Sequence, residues 1–185
     1  MLGQSLLRII YRKPSGLRAH YRKIASIIEE RRVILDSGGG SGGLYVALEE
    51  EPEYYILLDP DVKLASRMTR SCRSEAVVAV AENTPLRPLA VDATVLNDSL
   101  HHFNAPVIGL LEALRVTRKC IYIRDYVAKG LGRVIAFAEK LMGFPASFVE
   151  LEILARILEE RGFKVDMLRK DGIGYILRAC RVDKK

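Results

Sequence analysis

Five glycines lie within six residues, directly after an apolar run that ends in a carboxylate. Residues 33–35 predict a buried strand, Asp36 follows them, and glycines occupy positions 38–40, 42 and 43. A strand, a glycine-rich turn and a helix let the backbone approach a nucleotide closely, because glycine has no Cβ to collide with it. A second apolar strand ends in Asp59, where a carboxylate can accept hydrogen bonds from both hydroxyls of a ribose. The two strand ends together predict a site for a nucleoside cofactor.

The glycines fit two cofactor templates, and Asp36 distinguishes between them. Glycines 38, 40 and 43 have the spacing of the dinucleotide fingerprint, whereas an acid at 36 with glycines at 38, 40 and 42 has that of S-adenosylmethionine-dependent methyltransferases. A dinucleotide would hold a doubly charged pyrophosphate over this turn, where the Asp36 carboxylate repels it. S-adenosyl-L-methionine carries an ammonium and a sulfonium, which the same carboxylate attracts. The sequence therefore favours S-adenosyl-L-methionine as the cofactor.

Candidate catalytic residues follow the predicted fourth strand. His101 and His102 lie at the carboxyl edge of that strand, where ligands bind in doubly wound sheets, and imidazole titrates near neutral pH. Either histidine is a candidate base for an acceptor that loses a proton on methylation, with helix capping or packing beneath the cofactor as the alternative role. Asp98 is the third catalytic candidate, because it ends the same strand. Asp125 and Tyr126 end the fifth strand and are candidates to line the acceptor pocket.

The composition indicates one α/β domain. The chain has 185 residues, 49% of them hydrophobic, which is enough for a full core. Charges interrupt every apolar run, so neither a membrane span nor a signal peptide is predicted. Cys72, Cys120 and Cys180 are odd in number and widely spaced, which predicts reduced thiols of a cytoplasmic protein, with neither a disulfide nor a metal site. Amide side chains are scarce beside abundant arginine and glutamate, a composition typical of heat-adapted proteins.

The formal net charge of +6 lies in the first 32 residues, which hold eight basic and two acidic side chains. Apolar residues are interleaved with these charges. The pattern predicts a basic helical arm or lid over residues 1–32, ahead of a cofactor-binding domain over residues 33–185. As a lid, the arm would cover the acceptor site and offer Arg18, Arg22 or Lys23 to an anionic substrate group. The alternative is a salt-sensitive attraction to RNA.

Strands and helices alternate along the chain, as expected of a doubly wound, Rossmann-like α/β fold. The last two strands flank Asp171 and Gly172, a hairpin signal, so the sheet should have an antiparallel addition. Residues 147–150 have the pattern of a capping box that opens a helix. The predicted strands are 33–36, 54–59, 76–81, 93–98, 120–125, 163–168 and 175–182, and the predicted helices are 17–32, 44–51, 60–73, 105–116, 131–142 and 147–161.

From about residue 16 to its end, the chain resembles the class I S-adenosylmethionine-dependent methyltransferases. The glycine motif of that family corresponds to positions 36, 38, 40 and 42, its ribose-binding acid to Asp59, and its segment between strands three and four to residues 81–86. Leu100, His101 and His102 resemble the branch that includes ubiquinone and menaquinone C-methyltransferases and many small-molecule enzymes. The resemblance implies a seven-stranded sheet with a reversed seventh strand. The resemblance and the positions of residues at the strand ends together predict these cofactor contacts: Asp36, Gly38, Gly39, Gly40, Gly42, Asp59, Pro60, Ala81, Glu82 and Asn97.

The sequence departs from the family pattern where an acid near the end of strand three usually accepts a hydrogen bond from the adenine amino group. Val80 or Ala81 occupies that position here, with Glu82 or backbone groups as substitutes. Residues 97–100 also lack the Asn- or Asp-Pro-Pro-aromatic sequence of enzymes that methylate amino groups of nucleic-acid bases. The leading hypothesis is therefore methylation of a small molecule. The alternatives are an RNA or protein methyltransferase that uses the basic arm, and a cofactor-fold binding protein without turnover.

Overall fold

The computed structural model describes residues 21–30, 32–68, 71–127, 147–171 and 173–182. Its strands are β1 (Val33–Ser37), β2 (Tyr54–Leu58), β3 (Ser74–Val77), β4 (Val91–Asn97), β5 (Thr117–Tyr126), β6 (Phe163–Asp171) and β7 (Gly174–Arg181). They form one sheet in the order β3-β2-β1-β4-β5-β7-β6, in which β7 runs antiparallel to both of its neighbours and the other pairs are parallel. The predicted fold class, a doubly wound, mostly parallel seven-stranded sheet with an antiparallel last strand, is confirmed.

Helices cover both faces of this sheet. The helices are α1 (Gly43–Ala47), α2 (Val62–Ala65), α3 (Pro106–Val116) and α4 (Leu151–Glu160), with 3₁₀ turns at Ala81–Asn83 and Leu100–His102 and further helical residues at 21–25. Alternating side chains of the strands point to opposite faces. One face packs beneath residues 24–28, α1 and α2, and the other packs beneath α3 and α4. The carboxyl ends of β1, β2, β4 and β5 therefore meet at one edge, between two filled cores.

The third strand differs from its prediction. β3 ends at Val77 and lies at the edge of the sheet, whereas a buried strand over residues 76–81 was expected. The apolar run continues beyond the strand, with Val78 52% and Val80 39% exposed. A continuous apolar run thus did not mean burial on both faces here, because part of it belongs to the loop that approaches the carboxyl edge.

The predicted capping box is also wrong. α4 begins at Leu151, Glu150 is its N-cap, and no side chain caps it. Residues 147–150 have no regular secondary structure, and the backbone N–H of Ser147 donates to the carbonyl oxygen of His101 at 2.8 Å. This contact holds residue 147 at the β4 edge, four residues ahead of the helix. Helices α1 and α2 are shorter than predicted, and the helix predicted at 131–142 lies outside the described residues.

Cys120 and Cys180 form a disulfide, which corrects the prediction of reduced thiols. The two residues are direct partners in the antiparallel pairing of β5 and β7. Their separation of 60 residues hid the pairing in the sequence, since only the sheet topology brings them together. Cys72 is a free, exposed thiol. The number and spacing of the cysteines therefore no longer support the prediction of a reducing compartment.

The segment 21–28 packs on the sheet through part of its side chains. Ile24 and Ile28 are buried against the face that carries Tyr55 and Tyr122. The hydroxyl of Tyr122 accepts from the backbone N–H of Glu29 at 3.1 Å, which fixes the end of this segment on β5. Residues 1–20, which hold the larger part of the predicted arm, lie outside the described residues. In the part of the chain that the structure describes, no helix is long and apolar enough to cross a bilayer.

Candidate functional site

The glycine turn after β1 is held against the ends of β2 and β4. The backbone N–H groups of Gly38 and Gly39 donate to the carbonyl oxygen of Leu58 at 2.7 and 3.2 Å. Gly38 and Gly40 both have positive φ, +74° and +58°, which L side chains adopt rarely. A Cβ on Gly38 would lie 2.5 Å from the Cβ of Ser99, whereas a Cβ on Gly40 would meet nothing within 4 Å. The turn is thus packed on one side and open on the other.

Asp59 connects the end of β2 to this open side. One of its carboxylate oxygens accepts from the backbone N–H of Gly40 and the other from that of Asp61, both at 2.8 Å. Burial raises the pKa of Asp59, and these two N–H groups partly oppose the rise. Each oxygen retains lone-pair capacity, since a carboxylate accepts at about four positions. The carboxylate is therefore fixed in place and can still accept from a ribose.

Asp36 lies beneath the turn rather than in the open space above it. The carboxyl is buried and accepts a hydrogen bond from the hydroxyl of Tyr55 at 2.5 Å. A Cβ on Gly39 would lie 2.5 Å from this carboxyl, so the turn passes directly over it. Burial raises the pKa of Asp36 to about 7, the Tyr55 hydrogen bond opposes the rise, and the charge of Asp59 adds to it. Asp36 consequently changes its charge near neutral pH.

A small pocket opens beside the turn. It lies between the ends of β1 and β2 and the loops that follow β3 and β4. Val80 lines it in the place of the expected adenine acid. The carboxylate of Glu82 accepts from the backbone N–H of Ala105 at 2.9 Å, ahead of α3. Glu82 is thus engaged with the protein, and Val80 lines the part of the pocket where the family acid was expected. The lining residues are Gly38, Leu58, Pro60, Val80, Ala81, Glu82, His102, Phe103 and Asn104.

Asn97, at the end of β4, is a buried amide without a partner among the described residues. Its side-chain nitrogen and oxygen are both buried and make no hydrogen bond there, with 7% of the residue exposed. Buried amides are nearly always hydrogen-bonded, so such a group points to an additional partner. The next residues are tied down: the Ser99 hydroxyl donates to the carbonyl oxygen of Ser37 at 2.8 Å. Asn97 therefore fits the predicted role of a cofactor contact.

His101 and Asp125 form a buried pair between the ends of β4 and β5. The Nδ1 atom of His101 lies 2.5 Å from a carboxylate oxygen of Asp125, and the backbone N–H of His101 donates to the other oxygen at 3.1 Å. The His101 ring also contacts the rings of His102, Tyr126 and Phe148. His102 instead lines the pocket beside the glycine turn. The two adjacent histidines thus lie in different parts of the site.

Asp98 belongs to an ionic network that continues across the carboxyl edge. Its carboxylate pairs with the guanidinium of Arg124, whose Nε donates to Asp171 at 2.7 Å. Asp171 also pairs with the ammonium of Lys23. Asp98 has φ +50°, a left-handed conformation that aspartate tolerates better than most residues. The network joins β4, β5, β6 and the N-terminal segment, and it engages the Lys23 side chain that was predicted to face a substrate.

Sequence reasoning missed three partners that shape this site. Tyr55 bonds Asp36, Asp125 orients His101, and Arg124 neutralises Asp98. The register of the sheet explains the first: Asp36 pairs with Leu57, so Tyr55 points to the same face as Asp36. The pairing of β1 with β2 could have been deduced by aligning the two strands at their carboxyl ends. The other two partners depend on the order β4-β5 and on a side-chain fit that no local pattern encodes.

The fold and the nucleoside site define the class of the protein. A Rossmann-like sheet with a glycine turn, a ribose-positioned acid and a reversed last strand is the arrangement of class I methyltransferases. Residues 35–120 match the profile of the family described as Methyltransferase domain. Over those residues the chain thus matches a methyltransferase domain, and its whole sheet has the class I methyltransferase fold. Its cofactor is S-adenosyl-L-methionine and its activity is methyl transfer, EC 2.1.1.

Solved structures show the same fold at low sequence identity. An S-adenosylmethionine-dependent methyltransferase from Thermotoga maritima has a TM-score of 0.75 and 18% identity, over 97% of this chain and 95% of that chain. A Haloferax volcanii protein in complex with the Trm112 methyltransferase activator has a TM-score of 0.75 and 12% identity, over 93% and 94%. The magnesium protoporphyrin IX methyltransferase of Synechocystis PCC 6803 has a TM-score of 0.67 and 15% identity, over 91% and 83%. No curated protein sequence matches the chain.

Proposed function

We propose that this methyltransferase acts on a small-molecule acceptor, in keeping with the Leu100-His101-His102 sequence that resembles small-molecule enzymes. One observation carries the proposal: two basic side chains at the described part of the carboxyl edge, Arg124 and Lys23, are already paired with carboxylates. Arg124 is paired with Asp98 and Asp171, and Lys23 with Asp171. An RNA-binding edge would instead present basic groups to phosphates, because phosphate contacts dominate RNA affinity.

In this proposal the cofactor lies across the glycine turn, with its ribose on Asp59 and its adenine in the pocket beside Pro60, Ala81 and Glu82. Gly38, Gly39, Gly40 and Gly42 let the backbone approach it. Asn97 supplies the amide that has no described partner, and Asp36 acts from beneath the turn on the ammonium of the methionine part. Three features of the structure support this fit: the open space at Gly40, the fixed carboxylate of Asp59 and the buried amide of Asn97.

The cofactor supplies a methyl group already activated by a sulfonium. The protein therefore has to align the acceptor and exclude water rather than form covalent intermediates. His101, His102 and Asp98 remain the proposed catalytic residues. Of the three, His102 lines the pocket beside the glycine turn, whereas His101 is buried and paired with Asp125. Of the proposed lid over residues 1–32, only the part ahead of residue 21 would close the acceptor side, since Ile24 and Ile28 are buried against the sheet.

The experiment is a calorimetric titration followed by a turnover screen. S-adenosyl-L-methionine and its demethylated product should bind, and a nicotinamide dinucleotide should not. Release of the demethylated product is then measured with a library of small alcohols, phenols, amines and thiols, with total RNA and with a protein extract as separate arms. Salt-sensitive turnover on RNA, or turnover on protein alone, would contradict the small-molecule proposal. Cofactor binding with no turnover in any arm would favour the binding protein without catalysis.

A further inference from the structure

We infer that Glu112 and Arg115, on α3, are positioning residues, which hold the loop between β3 and β4 in the shape that binds the base of the cofactor. The inference rests on the proposed function, because the base is proposed to lie in the pocket beside Ala81 and Glu82. It deepens that proposal, because it assigns the recognition of an adenine base to a loop whose position is set from a helix outside the pocket.

Arg115 contacts the backbone of this loop at three points. Its Nη1 donates to the carbonyl oxygen of Leu86 at 2.8 Å, and its Nη2 donates to that of Thr84 at 3.0 Å. Its own backbone carbonyl oxygen accepts from the N–H of Leu89 at 3.0 Å. One arginine therefore fixes the loop from Thr84 to Leu89, just ahead of β4.

Glu112 joins Arg115 to the same loop. Its two carboxylate oxygens accept from Nε and Nη2 of Arg115, both at 2.7 Å, and one of them also accepts from the backbone N–H of Thr84 at 3.1 Å. The hydrogen bonds from Arg115 hold the pKa of Glu112 below its usual value, so the carboxylate stays charged. Two parallel hydrogen bonds to one carboxylate are a geometry that arginine offers and lysine does not.

Thr84 connects these α3 side chains to the pocket. Its backbone N–H and carbonyl oxygen are both bound by the Glu112–Arg115 pair, and its hydroxyl donates to the carbonyl oxygen of Ala81 at 3.1 Å. Thr84 and Ala81 are both buried, each 4% exposed, so water does not compete for this bond. Ala81 lines the pocket, so the contacts continue without a break from α3 to the proposed base site.

The loop has little regular structure of its own. Between β3 and β4 its regular element is the 3₁₀ turn at Ala81–Asn83, and Val78 and Val80 are 52% and 39% exposed. Ordering such a segment on binding costs free energy and lowers the affinity, whereas a segment fixed beforehand avoids that cost. The contacts with α3 therefore serve binding if the loop meets the base.

Glu82 is the carboxylate nearest to the base in this arrangement, and it is engaged. It accepts from the backbone N–H of Ala105 at 2.9 Å, immediately ahead of α3. We therefore assign the recognition of the base edge to the backbone of residues 80–82. The position of that backbone depends on α3 at both ends of the helix, through Ala105 and through the Glu112–Arg115 pair.

The first test measures hydrogen exchange in the full-length protein without cofactor. Arg115→Met should make the backbone amides of residues 80–84 exchange at least about tenfold faster, because the loop loses its contacts with the guanidinium. Amides in the centre of β4 should keep their exchange rates. Unchanged exchange at residues 80–84 would overturn the inference.

Arg118→Met is the matched control. Arg118 also donates to a carbonyl oxygen of this loop, that of Leu89 at 3.0 Å, and pairs with a carboxylate, Asp92 at 3.2 Å. Its contacts lie where the loop enters β4, away from the pocket. Arg118→Met should therefore leave the exchange of residues 80–84 unchanged, and equal effects of the two variants would contradict a specific role of Arg115.

The second test measures base selectivity by calorimetry, with the demethylated product and with its hypoxanthine counterpart, in which oxygen replaces the adenine amino group. The natural protein should prefer adenine by about tenfold. Arg115→Met should raise the Kd for the adenine compound about tenfold and reduce this preference to about twofold. Arg115→Lys should behave in the same way, because an ammonium cannot reproduce the fork of hydrogen bonds. Arg118→Met should keep both the affinity and the preference.

A merely structural role of Arg115 would weaken both compounds equally and preserve the preference, which would overturn the inference. No preference in the natural protein would overturn it as well and leave the cofactor proposal standing. If Arg115→Met does not fold, Glu112→Gln decides with the same two measurements, since it keeps the size of the side chain and removes its charge. The proposed function fails separately: the natural protein would then bind neither compound.

Discussion

The carboxyl edge of the sheet has two halves that are built in different ways. The cofactor half, at the ends of β1 and β2, is formed by backbone geometry: a glycine turn with positive φ angles and an acid that accepts two backbone N–H groups. The acceptor half, which is the part proposed to meet the methyl acceptor at the ends of β4 and β5, is formed by side-chain pairs, His101 with Asp125 and Arg124 with Asp98 and Asp171. In the function proposed here, cofactor binding therefore depends on the shape of the backbone, whereas the acceptor would meet side chains that long-range contacts bring together.

The largest expected effect is a loss of stability when the ionic network of the acceptor half is broken. Arg124→Met removes a guanidinium that is 13% exposed and leaves Asp98 and Asp171 without their shared cation. Breaking a buried pair of this kind destabilises proteins by about 3–5 kcal/mol. We expect the free energy of unfolding, measured with urea, to fall by about 3 kcal/mol, while the Kd for S-adenosyl-L-methionine changes only a few-fold.

Arg178→Met is the matched control for that variant. Arg178 also pairs with two carboxylates, Glu29 and Asp166, but their side chains are 73% and 37% exposed. Exposed pairs contribute about 0–1 kcal/mol. Equal destabilisation by the two methionine variants would contradict the view that the Arg124 network holds the acceptor half together.

The second prediction breaks the cofactor half. Asp59→Ala removes the carboxylate proposed to hold the ribose, and charge-assisted hydrogen bonds contribute roughly 1.5–3 kcal/mol. We expect the Kd for S-adenosyl-L-methionine, measured by calorimetry, to rise about ten- to a hundred-fold. Asp61→Ala is the control, because Asp61 caps α2 only two residues away and should alter stability rather than affinity. An unchanged Kd in Asp59→Ala would refute the ribose assignment.

The third prediction concerns the pH dependence of the cofactor half. Burial raises the pKa of Asp36 from 3.8 to about 7, so the folded protein keeps this proton across that window. The resulting stabilisation is complete below about pH 3.8 and is lost as the pH rises through about 7. The ionised carboxylate attracts the cofactor ammonium, so affinity should increase with pH between 5.5 and 7.5, by roughly tenfold per unit at most. Asp36→Asn should flatten this dependence, and a parallel slope in that variant would contradict the role of Asp36.

The smallest expected effect concerns residues 1–14, which belong to neither half. Deletion of residues 1–14 should leave the Kd for S-adenosyl-L-methionine within a few-fold, because the described cofactor contacts do not involve them. On the lid proposal, the same deletion should raise KM for the acceptor or lower kcat. If it abolishes a salt-sensitive association with RNA and leaves small-molecule turnover intact, the arm serves RNA instead.

The sequence allowed correct predictions for features that depend on residues close together in the chain. The glycine turn, Asp59 and the alternation of strands and helices all have local patterns, so the cofactor, the fold class and the reversed last strand could be predicted. Gly40 and Asp59 illustrate this, because Gly40 follows β1 and Asp59 follows β2. The two strands are parallel, so their carboxyl ends lie side by side.

Residues that meet only through the tertiary fold could not be predicted in this way. Lys23 and Asp171 are 148 residues apart, and the cysteines of the disulfide are 60 apart. Their contacts depend on the strand order and on which face each side chain takes. The prediction of a buried strand over residues 76–81 was wrong for a related reason. Apolar character alone does not distinguish an edge strand and its following loop from a central strand.

The disulfide also gives the chain the topology of a closed ring. Cys120 and Cys180 enclose α4, β6 and most of β5 and β7. A single protease cut at any bond between them leaves both fragments covalently attached, so the nicked chain should migrate as one species on a denaturing gel until a reductant separates it. Asp125 lies between the two cysteines, so the fragment that carries it stays linked to the rest of the chain after such a cut. A nicked molecule can therefore still assemble its acceptor half.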